Sequence, residues 1–132
     1  MLRRWIMFKR VDHVEIIPQN FERTMDFYTN ILGFKIKVQR KVDKPPLIEI
    51  AFLELKDSVI EIMSVENPAP LSGTPWQVGY PRFAIEVEDM DKAIEYLKSK
   101  GVKISVEPIL LGKSKRAEIN DPDGLSIELR QW

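Results

Sequence analysis

Internal repetition is the feature of this sequence that most constrains its fold. His13 aligns with Arg82 at an offset of 69 residues, and Glu61 aligns with Glu128 at an offset of 67. Two glycines that follow predicted helices lie 68 residues apart. An offset that stays so nearly constant along the chain indicates two copies of one structural unit.

The first copy is predicted to contain one strand, one helix and three further strands. Residues 11–17 are rich in β-branched side chains that alternate in polarity, which is typical of a strand. Asn20 is a suitable helix cap, and apolar residues recur every three or four positions over residues 21–31. Gly33 ends this helix where a left-handed conformation is needed. The three following strands are predicted over residues 34–41, 47–55 and 58–65.

The second copy repeats this order of elements. A strand is predicted over residues 82–87, and Asp89 caps a helix that continues to Lys100 and is closed by Gly101. Asp121-Pro-Asp-Gly124 has the proline and glycine of a tight turn. The remaining strands are predicted over residues 102–106, 116–119 and 125–129.

The pattern predicts one α+β domain over residues 1–132, because the chain is too short for two independent cores. Module one spans about residues 9–66 and module two about residues 79–132. A linker of about residues 67–78, rich in proline, joins them.

Composition narrows the possible partners. The 20 basic residues balance the 20 acidic ones, which gives no electrostatic reason to expect nucleic acid or an anionic membrane as partner. The chain has no cysteine, so disulfides and thiolate chemistry are excluded, and this fits a cytoplasmic location. The apolar run of residues 5–8 is too short for a signal peptide or a membrane span, and Met7 is an alternative start.

Four stretches carry a resemblance to a known superfamily. They are Val11-Asp-His-Val-Glu-Ile16, Met25-Asp-Phe-Tyr-Thr-Asn-Ile-Leu-Gly-Phe34, Phe83-Ala-Ile-Glu-Val-Glu-Asp-Met-Asp-Lys-Ala-Ile94 and Asn120-Asp-Pro-Asp-Gly-Leu-Ser-Ile-Glu-Leu129. With the paired βαβββ plan, they resemble the vicinal oxygen chelate superfamily, which includes glyoxalase I, extradiol dioxygenases and bleomycin-binding proteins. The resemblance implies two modules whose sheets curve into half-barrels around a cavity.

The resemblance also implies a metal site. The superfamily's ligand positions fall on His13, Glu61, Arg82 and Glu128. His13, Glu61 and Glu128 are suitable ligands for one divalent ion such as Ni, Zn, Mn or Fe. Arg82 stands where histidine is common, and a guanidinium cannot bind a cation.

Two interpretations of Arg82 compete. In one, three protein ligands and water hold a weakened metal site, and Arg82 binds an anionic substrate oxygen. In the other, the guanidinium replaces the ion and bridges Glu61 and Glu128 as a bidentate pair, so that no cofactor is needed. His13 could equally be a core residue paired with one of these glutamates, and a shift of the alignment would make Glu86 a ligand.

Further side chains could border the cavity. Arg82, Lys113 and Arg116 are the candidates for substrate binding, the last two from a predicted basic loop over residues 111–116. Trp76 and Tyr80 could cap the cavity, but packing against the linker is the expected role. Two other apolar residues of module one could line the pocket or belong to the core, namely Phe52 and Met63.

Two functions follow from the resemblance. The first is a glyoxalase-like lyase or isomerase acting on a small oxygenated metabolite, in which Glu61 or Glu128 is the catalytic residue that moves a proton next to a carbonyl. The second is a metal-free protein that binds a small ligand or an antibiotic, as bleomycin-resistance proteins do. In both cases the resemblance implies a homodimer.

Overall fold

A computed structural model describes residues 7–132. Each half of the chain contains four strands and one helix, and in the first half the helix continues as a π-helix. The elements are β1 (Val14–Ile16), α1 (Phe21–Asp26), the π-helix (Phe27–Ile31), β2 (Lys35–Lys44), β3 (Leu47–Leu55), β4 (Ser58–Val65), β5 (Arg82–Glu86), α2 (Met90–Ser99), β6 (Ile104–Leu111), β7 (Ser114–Asn120) and β8 (Ser126–Gln131).

The strands form two separate four-stranded mixed sheets, which confirms the α+β prediction. Their orders are β1-β4-β3-β2 and β5-β8-β7-β6, so the two sheets have the same topology. In each sheet the first strand pairs in parallel with the last, and the other neighbours are antiparallel. Neither sheet closes into a barrel, because its first and second strands stay at the two edges.

The predicted helix ends are found in both copies. The side chain of Asn20 accepts a hydrogen bond from the Arg23 backbone amide, and Asp89 caps α2 in the same way. Gly33 and Gly101 follow the two helices with φ angles of 86° and 76°, a region that favours glycine. Each helix is therefore started and ended by the residues that the repeat predicts.

Strand alternation gives each sheet a core face and an opposite face. The side chains of Ile60, Ile62 and Leu53 are buried on the core face of the first sheet, and Ile127 and Leu129 are buried on that of the second. The remaining core residues come from both helices and both sheets, namely Ile16, Met25, Phe27, Tyr28, Phe34, Ala51, Met90, Ile94, Leu97, Ala117 and Ile119. The two modules thus share one hydrophobic core.

Polar contacts also tie the modules together. The Tyr28 hydroxyl donates a 3.0 Å hydrogen bond to the buried carboxylate of Asp121 in the β7–β8 turn. Arg23 of α1 forms a 2.9 Å ion pair with Asp123 in the same turn. Tyr96 of α2 donates to the backbone carbonyl of Ile31 at the end of the π-helix.

Three predictions from the sequence were wrong in detail. Strand β1 covers only Val14–Ile16, which leaves His13 just before it. Strands β6 and β7 are longer than expected, so Arg116 lies within β7 and the predicted basic loop is only a turn containing Lys113.

Among residues 7–132, no helix is long and apolar enough to cross a membrane.

The third error concerns the linker. Trp76 is 96% exposed and Tyr80 is completely exposed, so these side chains do not pack the linker as expected. Met63, by contrast, is only partly exposed in β4, and Phe52 is likewise half-buried in β3.

Candidate functional site

The face of the first sheet that points away from the core carries a cluster of acidic residues around one histidine. Glu61 of β4 lies between Glu15 of β1 and Phe52 of β3, and it is the direct cross-strand neighbour of both. Neighbouring residues in a sheet point to the same side, so these three side chains share one face. This surface is called the module-one face.

His13 is held over this face by three carboxylates. Its Nε2 atom lies 3.2 Å from a Glu61 oxygen and 3.2 Å from a Glu15 oxygen. Its Nδ1 atom lies 2.9 Å from Asp12. The ring also packs edge-to-face on Phe52, with the ring centroids 5.3 Å apart. The second nitrogen of a metal-binding histidine is commonly held by a carboxylate in this way.

The electrostatics of this cluster favour an added cation. The hydrogen bond that the His13 ring donates to Asp12 raises the pKa of His13, and the nearby Glu15 and Glu61 add to this effect. Burial raises the pKa of Glu61, and the negative charge of Glu15 raises it further. The cluster therefore holds more negative charge than the single histidine can neutralise.

The corresponding face of the second sheet, called the module-two face, satisfies its glutamate internally. The carboxylate oxygens of Glu128 lie 2.6 Å from Arg116 Nη2 and 2.9 Å from Arg130 Nη2. Arg116 also lies 2.8 Å from Glu118, two residues further along the same strand, β7. Arg82 lies 3.4 Å from Glu118.

The arginines reverse the electrostatic effect seen on the first sheet. Burial alone would raise the pKa of Glu128, but the hydrogen bonds from Arg116 and Arg130 outweigh it and leave the pKa below its usual value. The same pairing raises the pKa of Arg116. Glu128 is therefore a stable carboxylate within a salt-bridge network.

The strand registers show which residues make this difference. Ile50 pairs with Met63 one step along the first sheet from Glu61. The equivalent pair in the second sheet is Arg116 with Arg130. Two apolar side chains of the first copy are thus replaced by two cations in the second.

The structure brings some predicted site residues together and separates others. His13 and Glu61 are in contact, whereas Glu128 lies with its arginines outside their cluster. Arg82 donates a 3.0 Å hydrogen bond from Nε to Ser126, so the bridge from Arg82 to Glu61 and Glu128 is not made within the chain.

The remaining predicted residues lie at the margins. Lys113 is exposed in the turn between β6 and β7. Glu86 lines a cavity of about 410 Å³ that also borders His13, between β1 and β5. This volume falls in the range of sites for small organic molecules.

Sequence reasoning missed Glu15, Glu118 and Arg130. Each lies two residues from a residue that was considered, and residues two apart in a strand share a face. That spacing was the signal that could have found them.

His13, Glu15 and Glu61 form a chemically suitable set for a divalent ion. Each offers one ligand atom, and these atoms lie within 4.8 Å of one another. One imidazole nitrogen and two carboxylate oxygens suit Ni, Zn, Mn or Fe, and three protein ligands leave positions open for substrate.

Comparison with known proteins places this geometry in context. The chain is 34% identical to a probable chloroplastic lactoylglutathione lyase of Arabidopsis thaliana over 92% of its length, although it spans only 35% of that protein. It is 30% identical to a lactoylglutathione lyase of Neisseria meningitidis serogroup A, covering 92% of this chain and 90% of that one. A glyoxalase family protein from Enterococcus faecalis superposes with a TM-score of 0.83 at 25% identity, covering 95% and 99% of the two chains.

The family model matches nearly the whole chain. Residues 10–129 fit the model described as the Glyoxalase/Bleomycin resistance protein/Dioxygenase superfamily. The match spans both modules and both charged faces. The chain therefore belongs to the Glyoxalase/Bleomycin resistance protein/Dioxygenase superfamily.

Proposed function

We propose that this protein is a glyoxalase-type lyase or isomerase that uses one divalent ion per chain, bound on the module-one face. The observation that carries the proposal is the contact of His13 Nε2 with both Glu15 and Glu61, while Asp12 holds the other ring nitrogen. This arrangement differs from the ligand set expected from the sequence, because Glu15 takes the role proposed for Glu128.

A bound ion would polarise the oxygens of a substrate and make the adjacent carbon more acidic. Proton transfer at that carbon requires a carboxylate that can accept a proton near neutral pH. Glu61 is better suited than Glu128, since burial raises the pKa of Glu61. Glu128 is held in its charged form by two arginines, which makes it a poor base.

The substrate that the relatives suggest is lactoylglutathione or a thioester of similar chemistry. Such a molecule carries carboxylates, which arginine recognises through paired hydrogen bonds. Arg82 and Arg116 are the candidates for this contact. The polar contacts of Arg82 among the described residues use its Nε atom, so its terminal nitrogens are available to a ligand.

We also propose that the protein acts as a homodimer. The module-one face carries uncompensated acidic groups, and the module-two face carries three arginines for two glutamates. Opposite charges of this kind favour contact between module one of one copy and module two of the other.

The test is an activity assay on protein stripped of metal by a chelator. Each of the four ions is added back in turn, and the ultraviolet absorbance of the lactoylglutathione thioester is followed. We expect at least one ion to restore turnover, and His13→Ala to remove it. Turnover that is absent with every ion, in a protein that binds a small ligand equally well without metal, would favour the antibiotic-binding alternative.

A further inference from the structure

The segment between the modules contains an apolar surface that none of residues 7–132 covers. Residues 67–81 have no charged side chain, although 30% of the whole sequence is charged. Within this segment Trp76 is 96% exposed, and Val78 and Tyr80 are completely exposed. Leu71 is more than half exposed as well. We call residues 71–80 the aromatic strap.

The strap has a defined backbone conformation. Ser72 Oγ donates a 3.0 Å hydrogen bond to Gln77, and it accepts one from the Thr74 amide. Trp76 has a φ angle of 57°, a conformation that is unusual for a bulky residue. Such strain is maintained when it serves a contact, because an unconstrained loop would relax.

The strap leads directly into the module-two face. Tyr80 lies two residues before Arg82, the first residue of β5. An exposed aromatic group is therefore close in sequence to Arg82, at the edge strand of this face. Aromatic residues and arginine are the two side-chain types most enriched at the centres of protein interfaces.

The module-one face has the complementary pattern. Phe52 lies beside the acidic cluster, and Val38 is its cross-strand neighbour on β2. Ile48, at the irregularity near the start of β3, is also exposed. An apolar stripe thus lies next to negative charge on one face, and aromatic groups lie next to positive charge on the other.

We propose that the aromatic strap docks on the module-one face of a second copy of this chain. There it closes the cavity that borders His13 of that copy. The inference depends on the homodimer of the proposed function, and it assigns the contact surface. Trp76 and Tyr80 would place their rings on the stripe formed by Val38, Ile48 and Phe52, while the arginines face the acidic cluster.

The area is consistent with a stable dimer. Two large aromatic side chains bury about 150–250 Å² each, and Val78 and Leu71 add to this. With the charged faces behind the strap, each copy would contribute roughly the 800 Å² that a stable interface needs. A twofold axis makes the contact twice, because each copy has one strap and one module-one face.

Sedimentation equilibrium tests the strap directly. We compare the wild type with a Trp76→Ser/Tyr80→Ser variant, and with Leu110→Ser as matched control. Leu110 is 70% exposed on β6, outside the strap. We expect the dimer dissociation constant to rise at least about 100-fold in the double variant and to change less than about threefold in the control. A far-ultraviolet circular dichroism spectrum like that of the wild type, with a cooperative melting transition, would show that the double variant is folded.

Tryptophan fluorescence gives a second test in which the side chains of the aromatic strap are unchanged. The chain has three tryptophans, and Trp5→Phe/Trp132→Phe leaves Trp76 alone. We expect its emission to be blue-shifted in the dimer and to move to longer wavelength on dilution, as the ring becomes exposed in the monomer.

The outcomes separate this inference from the proposed function. A double variant that remains as dimeric as the wild type, or Trp76 emission that stays red-shifted in a dimer, would overturn the strap contact. A wild type that is monomeric at millimolar concentration would overturn both the strap contact and the homodimer. The ion-dependent activity of the wild type is measured separately, so a failure of the catalytic proposal would leave the strap result intact.

Discussion

Glu61 and Glu128 occupy the same position in two copies of one fold, yet their surroundings differ completely. Each lies in the last strand of its sheet, next to the first strand, and each points away from the core. Burial and a neighbouring glutamate raise the pKa of Glu61. Two arginines lower the pKa of Glu128 despite its burial.

The neighbouring side chains, rather than the position in the strand, therefore decide the charge state and the binding partners of a carboxylate that both copies share. Arg116 and Arg130 stand where the first copy has Ile50 and Met63. The module-two face therefore contains its own positively charged side chains. The module-one face has an excess of negative charge from three carboxylates, and a divalent ion from solution would neutralise part of it.

The largest difference between the copies is expected in metal affinity. Glu61→Gln should weaken the binding of Ni or Zn by at least about 100-fold, since it replaces one of three protein ligands, a charged carboxylate, with a neutral amide oxygen that binds a divalent ion more weakly. Glu128→Gln should change the affinity less than about threefold, because Glu128 binds arginine. Isothermal titration calorimetry on protein stripped of metal by a chelator measures both affinities. Equal losses in the two variants would contradict the assignment of the site to module one.

Arg82→His sharpens the same comparison, because it gives module two a histidine at the position of His13. We expect the stoichiometry to stay at one ion per chain, since Glu128 remains paired with Arg116 and Arg130. Ala84 also stands at the position that corresponds to Glu15. A second bound ion in this variant would show that Arg82 alone had blocked a complete site.

The second prediction concerns the arginine network. Arg116→Met should lower the free energy of unfolding by about 2–3 kcal/mol, because it leaves Glu128 with only Arg130 in a partly buried setting. Urea denaturation measures the change. Adding Glu128→Gln to the variant should restore part of the loss, since the unpaired charge is then removed. No recovery in the double variant would assign the loss to packing instead.

The third prediction compares two tyrosines that lie 68 residues apart. Tyr28→Phe removes a fully buried hydroxyl that donates to Asp121, so we expect a loss of about 1–2 kcal/mol in unfolding free energy. Tyr96→Phe removes a more exposed hydrogen bond to Ile31, and we expect a loss below about 0.5 kcal/mol. Thermal melts of both variants, side by side, measure the difference. Equal losses would mean that the β7–β8 turn does not hold the modules together.

The smallest effect is a pH dependence of opposite sign at the two glutamates. The raised pKa of Glu61 contributes stability at acidic pH, and this contribution is lost as the pH rises through the folded-state pKa. Metal-free Glu61→Gln should therefore become more stable than the wild type towards pH 7.

Glu128 should behave in the opposite way. Its lowered pKa contributes stability above the unfolded-state pKa, and this contribution is lost as the pH falls through the folded-state value. Glu128→Gln should therefore be less stable than the wild type near pH 7, and the difference should shrink towards pH 3. Chemical denaturation at several pH values measures both slopes, and slopes of the same sign would refute the electrostatic contrast.

Much of the fold could be predicted because its signals are local. The helix caps Asn20 and Asp89 and the closing Gly33 and Gly101 act through their own backbone neighbours. The strand predicted over residues 102–106 stops before Pro108, whereas β6 continues through it to Leu111. An edge strand tolerates proline, and the pairing of β6 with β7 shifts register around this residue.

The candidate site was less predictable because its partners come from different strands. The repeat indicated His13 and Glu61, but the register that places Glu15 beside Glu61 depends on sheet pairing. Arg116 was assigned to a loop, so its contact with Glu128 could not be anticipated. The exposure of Trp76 contradicts the packing expected for it, because the sequence pattern does not show whether a linker side chain has a core to pack against.

The most direct test of the central claim is the position of the ion in a crystal soaked with Mn²⁺, located by anomalous scattering at the manganese edge. The prediction is one peak per chain, bound by His13 Nε2 and by carboxylate oxygens of Glu15 and Glu61. A peak bound by Glu128, or the absence of any peak at His13 under saturating Mn²⁺, would contradict it.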